Sequence, residues 1–407
     1  MNKKILYISY DGMTDPLGEG QVINYLIGLR KYNYDFDILS FEKPEKYATQ
    51  KNHINALLSE HNIGWYPQIF HIKPPIISKV YDKLKLNAQA IKLYNKHKYG
   101  LIHCRGYMGA EVGLNLHKRF SVKFLFDMRG FWADEKADGG AWNTKKWFWK
   151  KVFEYYKKKE KAFVSQASHI ISLTEAGKTE ITKWPFYNTS IPITVIPCCA
   201  DQNHFKITSI LKKKEARKNL GIDDAAIVLS YLGSLGAWYM IDEMLQFFKE
   251  LQVQQKNAKF LIVTNSHHDI VLQKLTTLNL NAKDIIILTV PFSKVPEYIY
   301  ASDISISFIK SVYSKISSSP VKIGEILSMG IPIISNSVGD IGKLFLEENV
   351  GILIKDFSRD TFSSAVKLVG ECISIDPKSI REVADKYYNL QKGVEKYATV
   401  YREIFMN

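Results

Sequence analysis

Apolar and polar positions follow one another along the chain in two rounds of short apolar runs separated by helical stretches. The first run, Ile5–Tyr10, leads into a turn-rich segment from Asp11 to Gly20. Val22, Tyr25, Leu26 and Leu29 then recur at helical spacing, and a second apolar run follows at Phe36–Phe41. Strand, glycine loop, helix and strand in that order predict a βαβ unit with parallel strands. Further runs predict strands at Trp65–Ile69, Leu101–Cys104, Val122–Phe126, His169–Leu173 and Ile193–Ile196, the last stopped by Pro197.

The alternation then begins again. Strands are predicted at Ile227–Leu232, Phe260–Thr264, Ile285–Val290, Ile304–Phe308, Ile331–Ser335 and Gly351–Ile354. Helices fit Ile241–Leu251, Ile270–Leu278, Val295–Ala301, Val321–Met329 and Thr361–Val369, with a closing helix from about Ile380 to Phe405. The pattern predicts an α/β protein of two Rossmann-like, doubly wound domains, residues 1–198 and 199–379, followed by the closing helix 380–407. A chain of 407 residues suits two domains of that size. In such folds ligands sit at the carboxyl ends of the strands, so the expected site is a cleft between the two domains.

Composition adds exclusions. With 46% hydrophobic and 24% charged residues the chain is neither disordered nor low-complexity, and 23 Gly and 13 Pro exclude a collagen-like repeat. No run reaches the ~18–20 apolar residues of a membrane span. Met1–Lys4 followed by Ile5–Ser9 resembles the start of a signal peptide, but Asp11 interrupts it and no small-residue cleavage site follows. Four scattered cysteines make neither a disulfide framework nor a zinc site. The expected location is cytoplasmic, including peripherally on the inner face of the membrane. Net charge is +14 and unevenly placed: residues 1–200 hold 30 basic against 18 acidic residues, the rest 25 against 23. The first half therefore suits a polyanionic or phosphorylated partner.

Candidate chemistry concentrates in Ser317–Pro332. Ser319 is a good N-cap, Pro320 suits a first helical position, and Gly330 stops the helix. Free N–H groups and the positive dipole end make an anion site, with Lys322 in the first turn adding a full charge. Glu325, one turn on, is placed to accept two hydroxyl hydrogen bonds, as from a ribose. The alternative is a surface helix whose Lys322 and Glu325 are merely solvated. Gly18 and Gly20, in the loop after the first strand, would let backbone approach a phosphate or sugar, or simply make a tight turn. A third fingerprint glycine is lacking, which argues against a nicotinamide enzyme. Asp127, Arg129, Asp134 and Glu135 follow a strand; Arg129 suits a phosphate or carboxylate, and the acids suit sugar hydroxyls. An internal Arg–Asp pair holding a loop is the other reading.

Residues 141–163 contain eight lysines and eight aromatics. Trp142, Lys145, Lys146, Trp147, Trp149 and Lys150 give it the composition of an interfacial membrane segment. Nucleic-acid stacking and inward-packed aromatics are the alternatives. Asp35-Phe36-Asp37 leads into a strand and is expected as a solvated edge, and His267-His268-Asp269 as a loop and helix start. No metal is expected.

The two Rossmann-like domains, Gly18–Gln21, His103-Cys104-Arg105, Asp127–Glu135, Val195–Phe205, Gly233-Ser234-Leu235 and above all Ser319–Pro332 resemble the retaining glycosyltransferases of family 4, with the GT-B fold. The resemblance covers nearly the whole chain. It implies ribose binding by Glu325, diphosphate binding by Ser318, Ser319 and Lys322, and donor contacts from Gly233, Ser234 and the base-side Pro291. The family usually carries a second glutamate, which would fall on Ser317, and Arg and Lys after the glycine matched by Gly233. Here Ser234 and Trp238-Tyr239 follow that glycine, so diphosphate charge is expected to rest on Lys322, with Lys310 or Lys315. The implied function is transfer of a sugar from a nucleoside diphosphate sugar to a saccharide or lipid-linked hydroxyl in cell-surface polysaccharide or glycolipid synthesis. Arg129 and Asp127 are expected to join Lys322 and Glu325 in catalysis, and Arg129, Asp134 and Glu135 to hold the acceptor. No cofactor and no nucleic acid are expected. A nucleotide-sugar epimerase of the same fold and a two-lobed solute-binding protein are the alternatives.

Overall fold

Every apolar run becomes a strand because each sheet is covered on both faces, so neighbouring side chains along a strand are buried alternately into opposite cores. The computed structural model describes residues 3–406. Two compact units emerge: Met1–Pro197 with Ile316–Ser318 and Leu390–Asn407, and Cys198–Lys315 with Ser319–Asn389. Of the segment resembling a signal peptide, Met1 and Asn2 lie outside the described residues, and the rest enters the first strand.

In the first unit the strands are β1 (Lys4–Ser9), β2 (Asp35–Glu42), β3 (Gly64–Ile69), β4 (Leu101–Arg105), β5 (Lys123–Asp127), β6 (His169–Ser172) and β7 (Ile193–Val195). They form one parallel sheet in the order β3-β2-β1-β4-β5-β6-β7, with Ile5 opposite both Phe36 and Leu101. The second unit holds β8 (Val228–Leu232), β9 (Lys259–Val263), β10 (Ile285–Leu288), β11 (Ile304–Ser307), β12 (Ile333–Asn336) and β13 (Gly351–Ile354). Their order is β10-β9-β8-β11-β12-β13, again all parallel. Leu229, Phe260 and Ile334 enter the core on one face, and Val228, Leu261 and Ile333 the core on the other. In each sheet the strand order reverses beside the first strand of the unit, between β1 and β4 and between β8 and β11. That reversal opens a crevice at the carboxyl ends of the strands.

Three expectations are corrected. The segment Asp11–Gly20 is not a glycine loop throughout: Pro16–Gly18 is a helical turn that continues through a π-helical turn, Glu19–Ile23, into the helix Asn24–Arg30. Asp37 is no solvated edge. Because β2 lies between β3 and β1, Asp37 is buried, accepts a hydrogen bond from Tyr99 and pairs with Lys4 at 2.8 Å. The closing helix is two helices, Pro377–Tyr388 in the second unit and Leu390–Met406 in the first, parted at Asn389.

The last helix completes the first unit. Tyr401 donates or accepts a hydrogen bond with His103 Nδ1 at 2.7 Å, and Tyr397 donates to Asp127 Oδ2 at 3.2 Å. Both rings are buried. Truncating such a ring leaves a cavity, so Tyr401→Ala should cost about 3–5 kcal/mol. Tyr401→Phe, which loses only the hydrogen bond, should cost about 1 kcal/mol. Urea titrations of the two variants check the ratio.

Candidate functional site

The helix Val321–Ser328 follows β11, so its first turn lies at the carboxyl edge of the second sheet. From Lys322 to Ser328 every residue is buried, which removes the solvated-surface alternative. Lys322 is 7% and Glu325 8% exposed. Apolar contacts of Ile323, Ile326 and Leu327 bury the helix, and Gly330, in the left-handed region at φ +71°, ends it. One local detail differs from expectation: Ser319 does not cap this helix. Pro320 occupies the cap position, while Ser319 Oγ accepts the Cys198 N–H at 3.1 Å. Ser318 groups with the first unit.

The ammonium of Lys322 is held tightly. It donates to Tyr231 Oη at 2.9 Å, lies 4.3 Å from the Tyr231 ring centre and 3.5 Å from that of Tyr239. Gly233, the first residue beyond β8, adopts φ +133°, and a Cβ there would come within 2.5 Å of Lys322 Nζ. Only glycine permits both that backbone and that approach. β8 and β11 are the neighbouring strands at the reversal of strand order, so Gly233 and Lys322 meet where this fold binds ligands. Lys315, also buried, lies with its ammonium 4.0 Å from the Trp238 ring centre. Trp238 and Tyr239 thus position two cations brought from later in the chain; sequence reasoning noted these aromatics only as departures. Lys310 and Ser234 are exposed. Pro291 is exposed beside Phe292, whose ring meets His204 and Phe205.

Burial disfavours both charges of the pair. It holds the Lys322 ammonium well below its ordinary range, against the opposing pull of Glu325. It pushes the Glu325 carboxyl up to about 7, against the opposing pull of Lys322. A cation kept short of water beneath an open glycine turn is suited to an anion, because an arriving negative charge restores what burial removed.

In the first unit, Asp127 is 1% exposed at the end of β5. His103 Nε2 lies 3.4 Å from it, Arg129 3.7 Å and Arg105 3.9 Å. Burial raises its pKa, but Arg129, His103 and Arg105 outweigh burial and hold the carboxyl below the usual range. The internal Arg–Asp pairing is therefore present, and Arg129 holds it from a left-handed backbone, φ +55°. Asp134 pairs with Lys157 at 2.9 Å; Glu135 stands half-buried on the same short helix, Trp132–Asp138. Ser317 Oγ accepts the Phe131 N–H at 2.9 Å, and Ser317 packs against Gly130 and Gly177.

Gly18 and Gly20 lie on the helical turns. Gly18 packs against the backbone of Gly12 and Met13, where a Cβ would come within 2.5 Å. The loop N–H groups of Met13 and Thr14 are bound by the buried carboxylate of Glu42, each at 3.0 Å. Sequence reasoning missed Glu42, since nothing local marks a strand-end acid as the partner of a loop 28 residues earlier. Trp142 is corrected as well: it is buried, packed on Trp132, Trp149 and Tyr156. Lys145, Lys146, Trp147 and Lys150 are exposed and Trp149 is half-buried. Among the described residues no helix is long and apolar enough to cross a membrane, and no group of three or more His, Cys, Asp or Glu is arranged to hold a metal.

The family model "Glycosyl transferases group 1" matches residues 212–386, which span the helix of Lys322 and Glu325. Over these residues the chain is similar to the group 1 glycosyl transferases. Among curated protein sequences none matches the chain. Solved structures share its fold: sucrose-phosphate synthase from Thermosynechococcus elongatus is 16% identical with a TM-score of 0.74, covering 99% of each chain. The Anabaena protein HepE, solved with UDP and glucose, is 16% identical with a TM-score of 0.70, over 97% of this chain and 98% of its own. WaaG, a glycosyltransferase involved in lipopolysaccharide biosynthesis, is 12% identical with a TM-score of 0.68, over 97% and 99%. The chain therefore has the two-domain GT-B fold of these structures.

The two buried groups predict how stability responds to pH. Glu325, with its pKa raised, favours folding below its unfolded value of 4.5 and loses that advantage as pH rises toward about 7. Lys322, with its pKa lowered, favours folding above its unfolded value and loses that advantage as pH falls. Above about pH 7 the Glu325 contribution is spent while that of Lys322 still grows toward its unfolded value, so stability should rise on the alkaline side. The Glu325 shift alone corresponds to on the order of 3 kcal/mol. Denaturant titrations at pH 8 and 10 should show this rise in the wild type and a flatter profile in the double variant Lys322→Met, Glu325→Gln.

Proposed function

We propose that the protein transfers a sugar, with retention, from a nucleoside diphosphate sugar to a saccharide or lipid-linked hydroxyl in cell-surface polysaccharide or glycolipid synthesis. The observation that carries this reading is the Lys322 ammonium, buried on two tyrosine rings beneath Gly233 at the reversal of strand order. Such a fixed cation, aimed at the charge that develops on a leaving diphosphate, lowers the barrier without reorganisation. Lys315 on Trp238 adds a second cation of the same unit. Glu325, one turn along, accepts the ribose hydroxyls once the bound nucleotide and Lys322 favour its charged form. A neighbour solved with UDP and glucose supports a nucleotide sugar as donor. The base lies by Pro291, and Ser234, Ser318 and Ser319 border the donor.

In this reading the departing phosphate takes the acceptor's proton, so no protein base is needed, and Lys322 supplies the charge for which a metal would otherwise be used. Arg129, Asp134 and Glu135 of the basic first unit receive the acceptor. The protein acts in the cytoplasm, at the inner face of the membrane where the acceptor is lipid-linked.

Lys322→Met and Glu325→Gln should each lower kcat/KM for a nucleotide sugar by roughly a hundredfold or more, with thermal midpoints at or above wild type. Wild-type turnover in both would remove the assignment, and product analysis without acceptor would reveal an epimerase instead. Chelator should leave turnover unchanged.

Gly233→Ala, which drives a methyl into the ammonium, should abolish the UDP-induced thermal shift.

A further inference from the structure

The helix Pro75–His97 of the first unit has two apolar faces where a surface helix normally has one. Leu86, Ala90 and Leu93 are buried against the sheet, as the fold requires. On the other side Ile77, Val80, Tyr81 and Leu84 stand at i, i+3, i+4 and i+7, exposed by 67, 53, 52 and 64%. Ile72, just before the helix, is 63% exposed. The stripe is confined to the first turns: the outward positions further along are Ala88, Lys92, Asn95 and Lys96. Neither sheet packing nor helix formation calls for it.

Along this segment the charge is almost all positive. Residues 61–100 contain seven lysines and a single acid, Asp82. That acid is fully buried and turned inward, accepting the His71 N–H at 3.0 Å and the Tyr10 hydroxyl at 3.2 Å. Lys73 and Lys79 flank the stripe in exposed positions. Neighbouring Lys83 reaches Tyr155 of the helix Trp147–Gln166, whose first residues, Trp147 and Phe148, are also exposed. Lys83 is paired with Glu111 at 2.7 Å, so the exposed cations at the stripe are Lys73 and Lys79. An exposed apolar stripe flanked by such cations complements a surface that is apolar within and anionic at its boundary. It does not complement a protein patch of mixed charge.

We propose that this stripe docks the protein on a bilayer containing anionic lipid, with Ile77, Val80, Tyr81 and Leu84 entering the headgroup–acyl boundary and the lysines meeting lipid phosphates. The inference deepens the reading of a lipid-linked acceptor and rests on it only for its purpose, since docking needs no substrate. It adds to the expected segment 141–163, whose Trp142 is buried, a contact on a helix that carries no tryptophan.

Flotation with vesicles of equal phosphatidylglycerol and phosphatidylcholine, and with pure phosphatidylcholine, tests it. The wild type should float with the first, much less with the second, and less at 0.5 M salt. The double variant Ile77→Ser, Leu84→Ser should bind the anionic vesicles at least tenfold more weakly, because two exposed side chains lose their burial in lipid. Its thermal midpoint and UDP-induced shift should stay at the wild-type values, as should turnover on a soluble acceptor. Wild-type vesicle binding by this variant, or no binding by the wild type, would overturn the proposal. So would a wild-type dimer that the double substitution converts to monomer, because a second copy would then cover the stripe. None of these results alters UDP binding, so the function proposed above stands or falls separately.

Discussion

The second unit is organised around a cation that its own fold discourages. Burial makes the Lys322 ammonium costly, and three features make it bearable: the Tyr231 hydroxyl, two aromatic faces and a glycine that leaves room above it. Aromatic rings stabilise a desolvated cation without neutralising it, as a carboxylate in direct contact would. The charge therefore stays available to an incoming anion. Glu325, pushed toward its protonated form in the same site, does not quench it fully either. Such a site is primed in the sense that its unfavourable electrostatics are relieved by the ligand.

The first unit solves a comparable problem in the opposite way. Asp127 is as buried as any core residue, yet His103, Arg105, Arg129 and Tyr397 surround it. Its charge is closed off, and its partners come from β4, from the turn after β5 and from the last helix of the chain. That explains why Leu390–Met406 returns to the first unit: without Tyr397 and Tyr401, the polar cluster at the ends of β4 and β5 would lose part of its wall. A buried charge held by several partners is costly to disturb, so this cluster fixes the place of Arg129.

The strands were legible because burial on both sheet faces leaves no alternation to blur an apolar run, and helix ends were marked by Gly330 and the prolines. That Lys322 and Glu325 lie near one face of the helix was legible from their helical spacing. What was not legible depended on distant partners. Ser319 reads as a cap, but the Cys198 N–H claims its hydroxyl. Gly18 and Gly20 read as a phosphate loop, but Glu42 has already taken the loop's N–H groups. Asp37 reads as an edge residue because sequence does not reveal that β3 lies outside β2. Trp142 reads as an interfacial anchor because composition cannot distinguish a tryptophan facing Trp132 from one facing lipid. The exposed stripe on Pro75–His97 escaped notice for a related reason: a helix with two apolar faces looks, in sequence, like a helix with one broad face.

The departures from the family pattern have structural counterparts. Where the family carries Arg and Lys after the matched glycine, Trp238 and Tyr239 hold Lys315 and Lys322 against their rings. The positive charge is kept, but it comes from the later segment and is positioned rather than supplied by the loop. Where the family carries its first glutamate, Ser317 fits between Gly130 and Gly177 and bonds the Phe131 N–H. Ser317 is 2% exposed, so a glutamate's longer side chain would have to displace the Phe131–Gly130 turn to lie there. The serine and the two glycines thus form one packing solution, in which a compact hydroxyl orders the turn carrying Arg129. In the expected match to the family pattern, this serine stands in place of a carboxylate and orders the loop, and Glu325 is the acid that remains on the helix.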